Sequence, residues 1–142
     1  MYEGGLRTPM IVRWPGRIPA NKISDAIWSF ADFLPTAAAL AGAKTPTGLD
    51  GISILPTLFG QAQQINGRFL YWEFFERGFQ QAARWQNWKV VRPKKEADLE
   101  LYNLAKDIGE KKDVANLNPE IVSIFERFLK TARTESKDWP LK

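Results

Sequence analysis

The chain has 142 residues, 44% of them hydrophobic and 25% charged, with a formal net charge of +4. That is the composition of an ordinary globular domain, able to bury roughly two-thirds of its unfolded surface. It holds neither cysteine nor histidine, which excludes Cys/His zinc sites, a Ser-His-Asp triad and a Cys-His dyad. The chemistry left is that of carboxylate, amine, guanidinium and hydroxyl groups.

No apolar run approaches the ~20 residues needed to span a membrane. No basic region followed by an apolar one marks a signal peptide at the start. The basic spots Arg92-Pro93-Lys94-Lys95 and Lys111-Lys112 lie next to acids. They read as solvated loops rather than as a nucleic-acid face.

In chain order, Tyr2 to Gly16 comes first. Gly4-Gly5 supplies a tight bend between Glu3 and Arg7. Met10 to Trp14 reads as a short buried strand that Pro15-Gly16 stops. Ile23 to Phe30 is rich in β-formers and reads as a second short strand. Asp32 is the expected N-cap of a helix through Ala41, with Pro35 in its first turn and Gly42 as its stop. Leu34, Ala37, Ala38 and Ala41 form a small-residue face suited to packing on a sheet. Lys44 to Gly51 is a loop, and Ile54 to Phe59 makes one or two helical turns.

The middle of the chain turns to strands: Arg68 to Phe75, Phe79 to Trp85, Trp88 to Pro93 and Leu99 to Leu104. Brief turns at Glu76-Arg77-Gly78 and Gln86-Asn87 make them an antiparallel meander. Asn118 and Pro119 then open an amphipathic helix to about Thr134. Its stripe of Ile121, Val122, Phe125, Phe128, Leu129 and Ala132 should cover one face of the sheet. Trp139-Pro140 is a candidate final anchor.

The order of residues from Tyr2 to Gly16 closely resembles a segment of the sulfatases, Tyr-Glu-Gly-Gly-x-Arg-x-Pro running to Trp-Pro-Gly. Further resemblances follow: Asp32-x-x-Pro35-Thr36 to Ala41-Gly42, Asp50-Gly51-Ile52-Ser53 to Pro56, Tyr71-Trp72-Glu73-Phe74, Gln81 to Arg84 with Trp88-Lys89, and Glu100 to Leu104 with Asp107 and Glu110. Ile108 and Asp113 stand where relatives often have Pro and Asn.

The resemblance covers almost the whole chain and is to the C-terminal portion of the family. It implies an α+β fold: a four-stranded antiparallel sheet covered by a C-terminal amphipathic helix. A strand-helix remnant of an alkaline-phosphatase-like α/β domain would precede it. The expected division is 1–60 for the end of the large domain and 61–142 for the C-terminal subdomain.

The resemblance also implies a sulfuric ester hydrolase as parent, using formylglycine and calcium. Its Cys/Ser-x-Pro-x-Arg motif is absent, for there is no cysteine and none of the five serines begins it. No catalytic residue or metal ligand carries over, so the chain alone is expected to be inactive. The implied partners are a missing N-terminal sulfatase domain and, for the parent, a sulfated small molecule or glycan, with no nucleic acid and no membrane. A periplasmic or secreted parent is implied only by the resemblance.

The candidates for the wall of the substrate pocket are Glu73, Glu76 and Arg77, at a strand end and its turn, and Glu3 and Arg7, around the Gly-Gly bend. Loops carry binding residues disproportionately, and Arg suits sulfate. The bland use of the same charges is as surface or turn-pinning ion pairs. Arg84, inside a strand, reads as support for the sheet. Trp72, Trp85 and Trp88 read as core, or in the rival view as the platform of a carbohydrate-binding module without catalysis. A remnant cut from its domain would expose apolar surface and oligomerise through it.

Overall fold

A computed structural model describes residues 1–63, 65, 67–76 and 78–138. The chain divides into two compact units. One combines Met1–Thr8 with Asn66–Lys142, and the other is Pro9–Ile65.

The first unit is a four-stranded meander, β1 (Phe69–Phe74), β2 (Gln80–Trp85), β3 (Trp88–Arg92) and β4 (Glu100–Asn103), in that spatial order. All pairings are antiparallel, with Tyr71 opposite Ala83, Ala83 opposite Val90, and Val90 opposite Leu101. Gln86 takes a positive φ of 56° in the two-residue turn between β2 and β3, the conformation tight hairpins demand.

Period-two alternation gives the sheet two distinct faces. Ala83, Val90 and Leu101 bury one face beneath helix α4 (Pro119–Leu129), whose Phe125 is fully buried among them. Ile121, Val122, Phe128 and Leu129 complete that layer. Phe69 stacks between Trp85 and Phe128, with ring centroids 5.8 and 4.2 Å away. The other face buries Ala82, Val91, Tyr102 and Leu104, with Met1 and Trp72 packed on them. A one-turn helix, α1 (Glu3–Leu6), opens the chain in this unit.

The four expected strands therefore form, as does the covering helix. Helix α4 stops at Leu129, earlier than its apolar pattern suggests. Both the N–H and the hydroxyl of Thr131 turn back onto the carbonyl of Phe128, competing with further helical bonding. Asn118 does not cap through its side chain. Its amide donates instead to the Val114 carbonyl at 2.9 Å. Gly4 and Gly5 lie within the helical turn of α1 rather than in a bend of their own. Trp139-Pro140 lies outside the described residues.

The second unit holds a 3₁₀ turn (Phe30–Asp32), α2 (Phe33–Leu40) and α3 (Leu55–Leu58). Asp32 is fully buried. One carboxylate oxygen accepts from the Ser29 N–H and the other from the Ile52 N–H, each at 2.8 Å. So Asp32 closes a capping box around the 3₁₀ turn and also ties the loop at Ile52 to it, rather than capping α2. Thr36 Oγ1 donates to the Asp32 carbonyl and accepts from Ile54 N–H. Gly51 passes so close that a Cβ there would sit 1.8 Å from the Ala31 carbonyl oxygen. Gly42, at φ +64°, ends α2 as expected, with Ala43 N–H reaching back to the Ala38 carbonyl.

Two expected strands are corrected. Met10 to Trp14 and Ile23 to Phe30 are neither helix nor strand, apart from the 3₁₀ start at Phe30. A strand needs a neighbour to accept its backbone hydrogen bonds. Ile11 and Ile23 are 94% and 96% exposed, so β propensity found neither ladder nor core there. Trp14 instead packs against Phe59, centroids 6.3 Å apart, with the Arg17 guanidinium 5.9 Å from its ring.

Candidate functional site

Two polar constellations lie on opposite faces of the sheet in the first unit. On the Ala82–Val91 face, β2 and β3 put Arg84 opposite Lys89. Lys89 is fully buried. Its Nζ lies 2.9 Å from Glu3 Oε1 and 2.9 Å from Glu110 Oε1. Glu3 Oε2 is 3.5 Å from Arg84 Nη1. The backbone N–H of Glu3 donates to the second oxygen of Glu110.

A lysine this deep is costly unless charges and hydrogen bonds surround it, and here they do. Glu110 holds its place at a positive φ of 50°, a conformation uncommon outside glycine. Burial pulls the Arg84 guanidinium down from its ordinary pKa, and the Glu3 carboxylate pushes it back up. Beside this cluster, Tyr2 and Tyr102 both donate to Glu100 Oε2, at 2.6 and 2.9 Å. Burial first, then the Glu100 carboxylate, pushes the Tyr2 hydroxyl up to about 12 and raises Tyr102 as well. Such a set of paired charges fixes geometry and carries no activated nucleophile.

On the α4 face a second chain of side chains crosses the end of the sheet. Arg92 Nη1 donates to the Ala97 carbonyl and Arg92 Nε to Gln81 Oε1. Gln81 donates to Tyr71 OH at 2.9 Å, and Tyr71 OH donates to Glu73. Arg133, just beyond α4, holds Glu73 from the other side at 3.1 Å and also pairs with Glu135. Burial is the main cause that raises the Tyr71 hydroxyl. This chain ends at a groove of about 570 Å³ lined by Glu73, Phe74, Phe75, Glu76, Arg133, Thr134 and Ser136.

Of the expected pocket residues, Glu73 and Glu76 thus line one groove. Glu3 is on the other face, paired with Lys89 and Arg84 rather than with Arg7. Arg7 is exposed just past the end of α1, its backbone N–H bonded to the Glu3 carbonyl. Arg77 lies outside the described residues. Arg84 supports the sheet face as expected. The three tryptophans do not share a platform. Trp85 and Trp88 pack with α4, and Trp72 with the opposite cluster.

Sequence reasoning missed the roles of Lys89, Glu110 and Arg133. Lys89 carried a signal: a charge between Trp88 and Val90-Val91, in register with Arg84, marks a paired charge on an otherwise apolar face. Among the described residues no group of three or more His, Cys, Asp or Glu side chains could hold a metal ion. No helix there is long and apolar enough to cross a membrane.

Residues 1–137 match the family model described as N-sulphoglucosamine sulphohydrolase, C-terminal. A sulfatase of Formosa agariphila is 32% identical over 136 residues, covering 83% of this chain and 24% of that protein. Mouse steryl-sulfatase is 37% identical over 92 residues, 63% of this chain and 14% of its own. The crystal structure of Ps i-CgsB in complex with k-i-k-neocarrahexaose is similar with a TM-score of 0.77 and 28% identity, over 91% of this chain and 30% of that one. The chain thus spans less than a third of the length of these relatives. With its sheet, covering helix and ordered motifs all accounted for, it belongs to the sulfatase family, as the C-terminal portion defined by the N-sulphoglucosamine sulphohydrolase model.

Proposed function

We propose that the chain is the C-terminal part of a sulfuric ester hydrolase acting on a sulfated glycan or smaller sulfate ester, and that it forms one wall of that enzyme's substrate pocket. The observation that carries this reading is the match of residues 1–137 to the C-terminal sulfatase family model. The buried Lys89 between Glu3 and Glu110 holds α1 and the exposed Arg7 beside it against the sheet.

In this reading Glu3 positions α1, its carboxylate being engaged by Lys89 and Arg84. Arg7, exposed beyond it, is the contact for an anionic substrate group. Glu73 and Glu76 line the groove on the other face of the sheet, away from Arg7. Formylglycine and calcium, which the family resemblance implies, belong to the remainder of the enzyme. The described residues hold no group of three or more acids that fits a metal ion.

The test is a chimera in which this chain replaces the matching segment of the Formosa agariphila sulfatase. A folded chimera should hydrolyse a chromogenic aryl sulfate, and this chain by itself should not. Turnover by the pure chain, or a folded chimera without activity, overturns the proposal.

A further inference from the structure

Next to α1 two guanidinium groups stand close together with donors to spare. Arg84, on β2, is half-buried, its side chain 18% exposed. Its Nε donates to the Gln86 carbonyl at 3.2 Å. Its Nη1 stands 3.5 Å from Glu3 Oε2, too far for a good N–H···O bond, while Lys89 takes the other Glu3 oxygen at 2.9 Å. The outer N–H groups of Arg84 therefore make no hydrogen bond among the described residues.

Arg7 follows α1, and its backbone N–H is bonded to the Glu3 carbonyl at 2.8 Å. Glu3 thus ties both arginines to one turn. The Arg7 side chain is exposed and has no hydrogen bond or ion pair among the described residues. It still bears on Arg84: after burial and the Glu3 carboxylate, the charge of Arg7 is the next influence there, and it opposes the protonated form. Like charges held close destabilise one another, and an anion set against both removes that cost.

The shape of the donors narrows the anion. A guanidinium offers a planar fork that fits two oxygens at once. A carboxylate has only two oxygens, so one fork satisfies it. A tetrahedral oxyanion has enough for both forks.

We propose that Arg84 joins Arg7 as a second contact for one tetrahedral oxyanion, with Glu3 as the residue that positions both. The inference rests on the sulfatase reading above for the source of that group, a sulfate ester or the sulfate released from it.

The experiment follows the Nε–H resonances of Arg7 and Arg84 by NMR while the chain is titrated with inorganic sulfate, methyl sulfate and acetate at fixed ionic strength. With sulfate both resonances should move along one binding curve. Sulfate should bind roughly tenfold more tightly than acetate, about the gain from a second charge-assisted fork. Arg7→Lys and Arg84→Lys keep the charge and lose the fork, and each should bring sulfate down to the affinity of acetate. The backbone amides of Lys89 and Glu110 report whether Glu3 has kept its place in Arg84→Lys. If they shift, the shared binding curve and the exposed Arg7→Lys decide. Methyl sulfate binding as tightly as sulfate assigns the site to the ester, and much weaker binding assigns it to the released anion; either result supports the oxyanion site.

Equal affinity for sulfate and acetate, or movement of Arg7 without Arg84, overturns the inference. So does undiminished sulfate binding by Arg7→Lys, or by a folded Arg84→Lys. Failure of the sulfatase reading shows separately, in the chimera's activity, whatever the arginine resonances do.

Discussion

Lys89 Nζ sits 2.9 Å from Glu3 Oε1, joining residues 86 positions apart. The pair fastens the first helical turn to the middle of a sheet whose strands begin only at Phe69. Glu110 closes the arrangement from the loop after β4, so one ammonium is shared by two carboxylates and all three side chains are buried. Replacing Lys89 by Met would leave Glu110 in a low-dielectric site without that cation and Glu3 with Arg84 at 3.5 Å. Breaking a buried pair in this way costs about 3–5 kcal/mol. Chemical denaturation of Lys89→Met should show that loss, with proteolysis now cutting within residues 1–8. Adding Glu3→Gln and Glu110→Gln to Lys89→Met should recover much of it, since the stranded charges are gone.

The phenols of Tyr2 and Tyr102 share Glu100 Oε2, which makes the same face sensitive to alkali. The Tyr2 hydroxyl ionises at about 12 in the folded chain against 10.0 for the free group. Between these values the unfolded chain has lost a proton that the folded chain still holds. Stability is therefore fully present below pH 10 and falls as pH rises from 10 toward 12. Melting temperatures followed across that window should drop. Tyr2→Phe should flatten the drop but not abolish it, because Tyr102 is raised as well.

Where the sequence predicts well, one local rule decides the outcome. The β-forming run Phe69-Leu70-Tyr71-Trp72 and the turn at Gln86-Asn87 after Trp85 mark the strands. The spacing of Ile121, Val122, Phe125, Phe128 and Leu129 fixes α4 and the side it buries. Met10-Ile11-Val12 misleads because an apolar run announces a wish for burial but not the ladder that would satisfy it. The candidate site was legible as residue types only. Glu3 and Glu73 both read as pocket acids. Which sheet face each meets depends on Lys89 and Arg133, 86 and 60 positions away in the chain, and no local pattern encodes that.

In the second unit the turn before α2 and the loop at Gly51 hold each other through Asp32 and Thr36. Asp32→Ala would strip two backbone N–H groups of a charged acceptor, a loss of about 3 kcal/mol. Gly51→Ala should cost more, because its Cβ would fall 1.8 Å from the Ala31 oxygen and 2.3 Å from the Ala31 carbonyl carbon. Both atoms are backbone, so the loop itself must move. Hydrogen exchange resolved by residue should show protection lost throughout residues 29–54 in either variant, with β2 and β3 remaining protected. Loss of protection in the sheet as well would mean that the two units do not unfold independently.

Helix α2 carries its polarity inverted. Asp32 and Thr36, at 0% and 6% exposure, are buried, whereas Phe30 is 91% exposed, Phe33 65% and Leu34 51%. Phe33, Leu34, Ala37 and Leu40 follow helical spacing, so they lie along one side of α2, with Phe30 in the turn before it. Large exposed apolar patches drive association, and the chain alone should self-associate through this stripe. Light scattering as a function of concentration should report species larger than the monomer. Phe33→Glu with Leu34→Glu should restore a monomer at the same concentration. Because both side chains already face solvent, the cost to folding should stay within about 0.5 kcal/mol, which separates lost association from lost structure. A chain that is monomeric at high concentration without these substitutions would show that the stripe is not adhesive.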